Sequence, residues 1–155
     1  MAARTGARSI VIGIDGSKPA RRAVAFVARF APPPGGRVWC VSVLEPMRLP
    51  AMPLMPQSMR AAIVGEAREL DRKRAAAAAR EQAAAVARLE RAGWRARGET
   101  RTGVPLPTLL AAVRDHQADL LTLGAKGKTG AARVLLGSVA DGALKQSPVP
   151  VLIVP

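Results

Sequence analysis

Leu120-Leu121-Thr122-Leu123 is an apolar run of strand length, and it breaks into Gly124-Ala125-Lys126-Gly127. Nine residues later comes Gly137-Ser138, and residues 139–145 then read as a helix. A buried strand that ends in glycines and leads into a helix is how open α/β proteins hold phosphate. Glycines let the backbone approach an anion with no Cβ in the way, and a helix N-terminus offers free N–H groups and the positive end of its dipole. Ser138 adds a hydroxyl donor. A Cβ at Gly127 or Gly137 would fill phosphate space and block any backbone with φ > 0 that the loop needs.

A second motif inside this loop is a decoy. Gly127-Lys128-Thr129 resembles the end of G-x-x-x-x-G-K-[ST], but that pattern requires glycine at position 122, which is Thr122. A P-loop is thereby excluded. Lys128 can still reach a phosphate; the alternative is an ordinary solvated loop lysine.

The rest of the chain alternates in the same way. Residues 9–14 form an Ile/Val-rich run closed by Asp15-Gly16-Ser17, which reads as a buried parallel strand. Ser17 suits a helix N-cap and Pro19 a first turn, so a helix is expected over 20–30, stopped by the prolines and glycines at 32–36. A strand follows at 37–44. Residues 45–58 fit no periodic template, because prolines at this density block helix and sheet alike. A lid, a partner-binding loop or a tolerated insertion fits this Pro/Met-rich segment (46–58).

The alanine-rich stretch 59–92 predicts one long helix with Ile63, Ala67, Leu70, Val86 and Leu89 on a single inward face. Then come an edge strand at 94–102, a turn at Gly103-Val104-Pro105, a helix at 107–116, a strand at 119–123, the glycine loop and its helix, and a last strand at 149–154. The order β-α-β-α-β-α-β-α-β means an α/β fold with one open parallel five-stranded sheet and helices on both faces. Ligands bind such sheets beyond the carboxyl ends of the strands. If the first and fourth strands are neighbours, the Asp15 loop and the glycine loop meet there.

The length of 155 residues suits a single domain over 1–155, with residues 1–7 as a flexible N-terminus. The net charge of +13 would attract nucleic acid, anionic membrane or phosphate ligands alike. Much of it is interleaved with acids, as on a solvated helix face. Two Trp, two Phe and no Tyr leave few base-stacking platforms, which weighs against nucleic acid. The single cysteine, Cys40, lies within an apolar strand and reads as a small core residue. The single histidine, His116, excludes an ordinary zinc site and reads as a cation at a helix C-terminus. No apolar run is long enough for a membrane span and no signal-peptide pattern is present, so a cytoplasmic protein is expected.

On these residues the chain resembles the universal stress proteins of the UspA type. Ala118 through Val154 is similar to the family's strand, G-x2-G-x9-G-[ST], helix, proline and apolar strand. Residues 12–17 and the Gly103-Val104-Pro105 turn resemble two further family elements. The resemblance implies an adenine nucleotide alpha hydrolase-like sheet in the order 3-2-1-4-5. It implies a cofactor, ATP, accompanied by Mg²⁺: Asp15 and Val43 at the adenosine, with Gly124, Gly127, Gly137, Ser138 and Val139 around the phosphates. Gly13, Ala125 and Lys128 complete the expected binding set. Ala125 stands where serine is frequent in the family.

The expected role is regulatory, in stress response, with at most slow ATP hydrolysis and no catalytic residue or protein-bound metal. AMP or a cyclic nucleotide is the alternative ligand. A homodimer through Val149–Val154 is implied. The other readings are a basic nucleic-acid-binding protein and a structural homodimer without nucleotide affinity.

Overall fold

The computed structural model describes residues 7–127 and 136–155. The expectations for Lys128, and for all but Ala7 of the flexible N-terminus, lie outside them. The elements run β1 (Ser9–Gly13), α1 (Lys18–Val27), β2 (Arg37–Leu44), α2 (Gln57–Arg91), β3 (Arg95–Thr102), α3 (Pro105–Asp115), β4 (Leu120–Gly124), α4 (Ser138–Gln146) and β5 (Val151–Val154). All strand pairs are parallel, and the sheet order is β3-β2-β1-β4-β5. The expected fold class and strand order are therefore present. β1 and β4 are neighbours, so the loops that follow them share one end of the sheet.

Alternation along the strands divides the core in two. Ile10, Ile12, Val38, Cys40 and Ala96 face α1 and α2, while Val11, Val41, Leu121 and Leu123 face α3 and α4. Near-continuous apolar strands are what a sheet covered on both faces requires. Cys40 is fully buried, and burial pushes its thiol up to about 12. It is a core residue, as expected.

Helix boundaries follow local chemistry. Ser17 caps α1, its Oγ accepting from Ala20 N–H at 3.2 Å, so the helix begins at Lys18 rather than Ala20. It ends at Val27 because Arg29 and Phe30 donate to carbonyls only three residues back, and Phe30 is left exposed. Residues 45–56 hold neither helix nor strand, and α2 starts directly after Pro56.

The single inward face expected of α2 is not formed. Its buried residues are Gln82, Ala85 and Leu89, whereas Leu70 is 47% exposed. The reason is length. Thirty-five helical residues span about 52 Å. The longest strands have eight residues and span about 27 Å. Only the C-terminal half of α2 can lie on the sheet.

His116 also has a more specific setting than a helix-end cation. It is the C-cap of α3, its ring stacks on Trp39 at 3.7 Å, and Nε2 lies 2.6 Å from Glu99 Oε2. Arg101 joins the same cluster, donating to Glu99 at 2.8 Å and to Asp115 at 2.7 Å.

Candidate functional site: a crevice at the carboxyl ends of the strands

β1 ends at Gly13 and the chain turns at once. Asp15 Oδ1 accepts the backbone N–H of Ser17 at 2.9 Å, and Gly16 takes φ 76°, a left-handed conformation that glycine adopts without strain. The turn fixes the Asp15 carboxylate beside the start of α1. Ser17 Oγ also donates to the carbonyl of Lys126 at 3.3 Å, which ties this loop to the glycine loop after β4.

The glycine loop is pinned at its base. Ala125 N–H donates to Val154 O at 2.7 Å, and Gly137 N–H donates to Ala125 O at 2.7 Å. The chain therefore leaves and returns at one place, and α4 begins where it returns. Gly137 is the N-cap of α4, and glycine has no side chain with which to cap the helix. Ser138, Val139 and Ala140 present its first turn to the crevice. That end of the helix carries the N–H groups and partial positive charge that suit an anion.

The loop glycines are required by close approach, and not by the positive φ that the sequence suggested. Gly137 has φ −72°, and neither Gly124 nor Gly127 is left-handed. A Cβ on Gly127 would lie 2.9 Å from Asp15 Oδ2, and one on Gly124 would lie 2.7 Å from the backbone of Pro19 and Ala20. Gly124 thus lets β4 pack against the start of α1, while Gly127 lets the loop pass directly over the Asp15 carboxylate. At Gly137 the nearest atoms, Ala125 O and Lys126 Cα, would be 3.3 Å away.

The result is a crevice of about 820 Å³, within the usual ~300–1,000 Å³ range of small-molecule sites. Gly13, Asp15, Val43, Gly124, Ala125, Gly127, Gly137, Ser138 and Val139 all line it. Nine of the ten residues singled out from sequence are thus brought together; Lys128 lies outside the described residues.

The opposite wall was not foreseen. It is α2, which contributes Lys73, Arg74, Ala77, Ala78 and Glu81. Arg74 is held in place by the Glu45 carbonyl and by Asp71, both at 3.2 Å. Glu81 takes two hydrogen bonds from Arg21 of α1, at 2.6 and 3.0 Å. The only available signal was the spacing of 73, 77 and 81 on one helical face, and an alanine-rich helix gives that face no apolar contrast. Ser42 was also missed. It lines the crevice at 2% exposure, and its Oγ has no hydrogen-bond partner among the described residues.

Among the described residues no three His, Cys, Asp or Glu side chains form a metal-binding group, and no helix is long and apolar enough to cross a membrane.

Known proteins share both sequence and fold. The chain is 43% identical to the universal stress protein MJ0531 of Methanocaldococcus jannaschii over 56 residues, 36% of this chain. It is 33% identical to MJ0577 of the same organism over 66 residues, 43% of this chain. These matches span 33% and 41% of the two relatives. The solved structure of MJ0577 superposes with a TM-score of 0.76 at 23% identity, covering 95% of this chain and 94% of that one. A universal stress protein in complex with cAMP gives 0.64 at 24% identity, over 97% and 98%. One from Archaeoglobus fulgidus in complex with dAMP gives 0.62 at 19%, over 95% and 97%. Residues 6–155 match the profile of the Universal stress protein family, and the chain belongs to that family.

Proposed function

We propose that this chain is an adenine-nucleotide-binding regulatory protein whose ligand is ATP with Mg²⁺. The observation that carries the reading is the convergence of the Asp15 turn, the glycine loop and the N-terminus of α4 on one crevice. Relatives of the same fold solved with cAMP and dAMP support an adenine nucleotide as its occupant.

The residues present fit such a group. The backbone of the glycine loop at Gly127 and Gly137, together with the first turn of α4, would take the phosphates. Asp15 and Val43 would take the adenosine, with Ser42 Oγ as an unused hydrogen-bonding group at the same wall. The bound metal would balance phosphate charge. With Asp15 on the adenosine and Glu81 engaged by Arg21, hydrolysis is at most slow. The chain works in the cytoplasm, residues 1–155 act as one unit, and two copies pair through β5.

Isothermal titration with ATP·Mg²⁺, AMP and cAMP tests the reading. Saturable binding of ATP at micromolar to millimolar concentration is expected. Absence of heat with all three ligands, for protein whose folding is verified by circular dichroism, refutes it.

A further inference from the structure

The outer face of β3 carries a second set of cationic groups, far from the glycine loop. Arg95 and Arg97 share a strand face with Glu99 and Arg101, because alternate residues of β3 point the same way. On β2 the same face holds Arg37 and Trp39, since Arg37 is the register partner of Arg95 and Trp39 that of Arg97. Arg37 also pairs laterally with Ser9, so Arg8, one residue earlier, falls on the other face. Arg37 and Arg95 thus lie side by side across the strand starts, about 5 Å apart. Arg97 stands one side-chain repeat further along β3, about 7 Å on. Arg37, Arg95 and Arg97 are all exposed.

The neighbouring acids are already engaged. Glu99 is bonded to His116 and Arg101, and Asp115 to Arg101. Asp119 accepts the backbone N–H groups of Arg8 and Ser9 at 2.9 and 3.0 Å. Arg37, Arg95 and Arg97 form no ion pair among the described residues. Like charges directly across a strand pair destabilise it. Protection of an edge strand against aggregation accounts for cations on β3. It does not account for Arg37, which stands on an interior strand directly beside Arg95.

We propose that this face binds the phosphate backbone of a nucleic acid without reading its sequence. Three neighbouring guanidinium groups, those of Arg37, Arg95 and Arg97, match a run of phosphates, each able to take a forked pair of hydrogen bonds. Arg37 also borders a concavity of about 510 Å³ at the strand starts, which Arg8 and Asp119 line too. Stacking aromatics, scarce in this chain, are not needed for backbone contacts. A lipid surface fits less well: of the exposed large apolar side chains among the described residues, Phe30 alone is tied to the strand starts, through the hydrogen bond from Trp94 Nε1 to its carbonyl at 3.2 Å, and one side chain is a weak anchor.

Fluorescence anisotropy with a labelled 20-base-pair duplex of random sequence, and with its single strand, tests the proposal at 50 and 200 mM salt. The triple variant Arg37→Gln/Arg95→Gln/Arg97→Gln is compared with Arg68→Gln/Arg80→Gln/Arg88→Gln, which removes equal charge from exposed positions of α2. The first is expected to bind at least about tenfold more weakly and to lower the salt slope on duplex by roughly 2–3, since each phosphate contact contributes about 0.9. The second should stay within about threefold of the parent. Circular dichroism and ATP titration should be unchanged in both. Equal losses in the two triples would overturn the proposal, because binding would then follow net charge alone. So would no binding to either probe at 50 mM salt, or capture by phosphatidylserine vesicles that nucleic acid does not compete away.

Discussion

Gly124 and Gly127 belong to one loop but answer to different constraints, and substitution should separate them. A Cβ at Gly124 would press on the backbone of Pro19 and Ala20, which cannot swing aside. Gly124→Val is therefore expected to destabilise the fold by at least about 1–3 kcal/mol, as overpacking does. At Gly127 the nearest atom is a side-chain carboxylate oxygen of Asp15. Gly127→Val should leave the circular dichroism spectrum intact while pushing the loop and Asp15 out of position, so that ATP binding is lost. Titration and thermal melts on the two variants check both outcomes; ATP affinity retained in Gly127→Val would reduce the glycine there to a mere connection. The sequence marks both positions as glycine. It cannot distinguish them, because the distinction rests on a helix N-terminus more than a hundred residues earlier in the chain. Ser42 was illegible for the same reason: nothing in Val41-Ser42-Val43 says that the hydroxyl reaches a crevice wall.

Among the elements, α2 is the one whose local signal misled. Alanine-rich composition announces a helix but not where it touches the sheet. Leu89 is fully buried and Leu70 is not. Leu89→Ala should cost about 2–5 kcal/mol in urea unfolding, whereas Leu70→Ala should stay within about 0.5 kcal/mol. The cluster joining β2, β3 and α3 was likewise invisible, since Trp39, Glu99 and His116 are remote in sequence. Burial alone would raise the Glu99 carboxyl, but hydrogen bonds from His116 and Arg101 and their charge hold it below its ordinary 4.5. A lowered carboxylate contributes stability that is fully present above its unfolded value and is lost as pH falls through the lowered one. Glu99→Gln should reduce the melting temperature at neutral pH and then fall less steeply than the parent as pH drops below about 4.5. Parallel acid limbs in the two melting series would contradict this. β5 was legible as an apolar terminal strand at a sheet edge. Its side chains are not equivalent, however: Val151 and Ile153 pack into the core under α3 and α4, while Leu152 joins neither core cluster. Leu152→Lys is thus the better probe of the proposed dimer. Light scattering at micromolar concentration should give a dimer for the parent and a folded monomer for the variant; an unchanged mass would exclude pairing through this strand.

At the scale of the whole molecule, alternating apolar runs and glycine stops made the parallel sheet readable, because the central strands of a doubly covered sheet must be apolar on both faces. The position of the crevice followed from the β1–β4 adjacency, which no local pattern contains. That adjacency makes the ligand site a junction of separate parts: the α1 cap, the glycine loop, the base of α4 and the wall of α2. The parts meet only in the native state, so an adenine nucleotide that binds there stabilises the whole fold. At a hundredfold excess over Kd the gain is about 2.7 kcal/mol. For a chain of this size each kcal/mol moves the midpoint by roughly 2–4 °C. ATP·Mg²⁺ should accordingly raise the melting temperature by about 5–10 °C, and the same excess should leave Gly127→Val unmoved. The arginine face of β3 lies away from the junction, so Arg37→Gln/Arg95→Gln/Arg97→Gln should keep the full shift. If that variant lost the ATP shift while its fold survived, the two sites would be coupled rather than independent. If the parent showed no shift at millimolar ATP·Mg²⁺, the crevice would not be an ATP site.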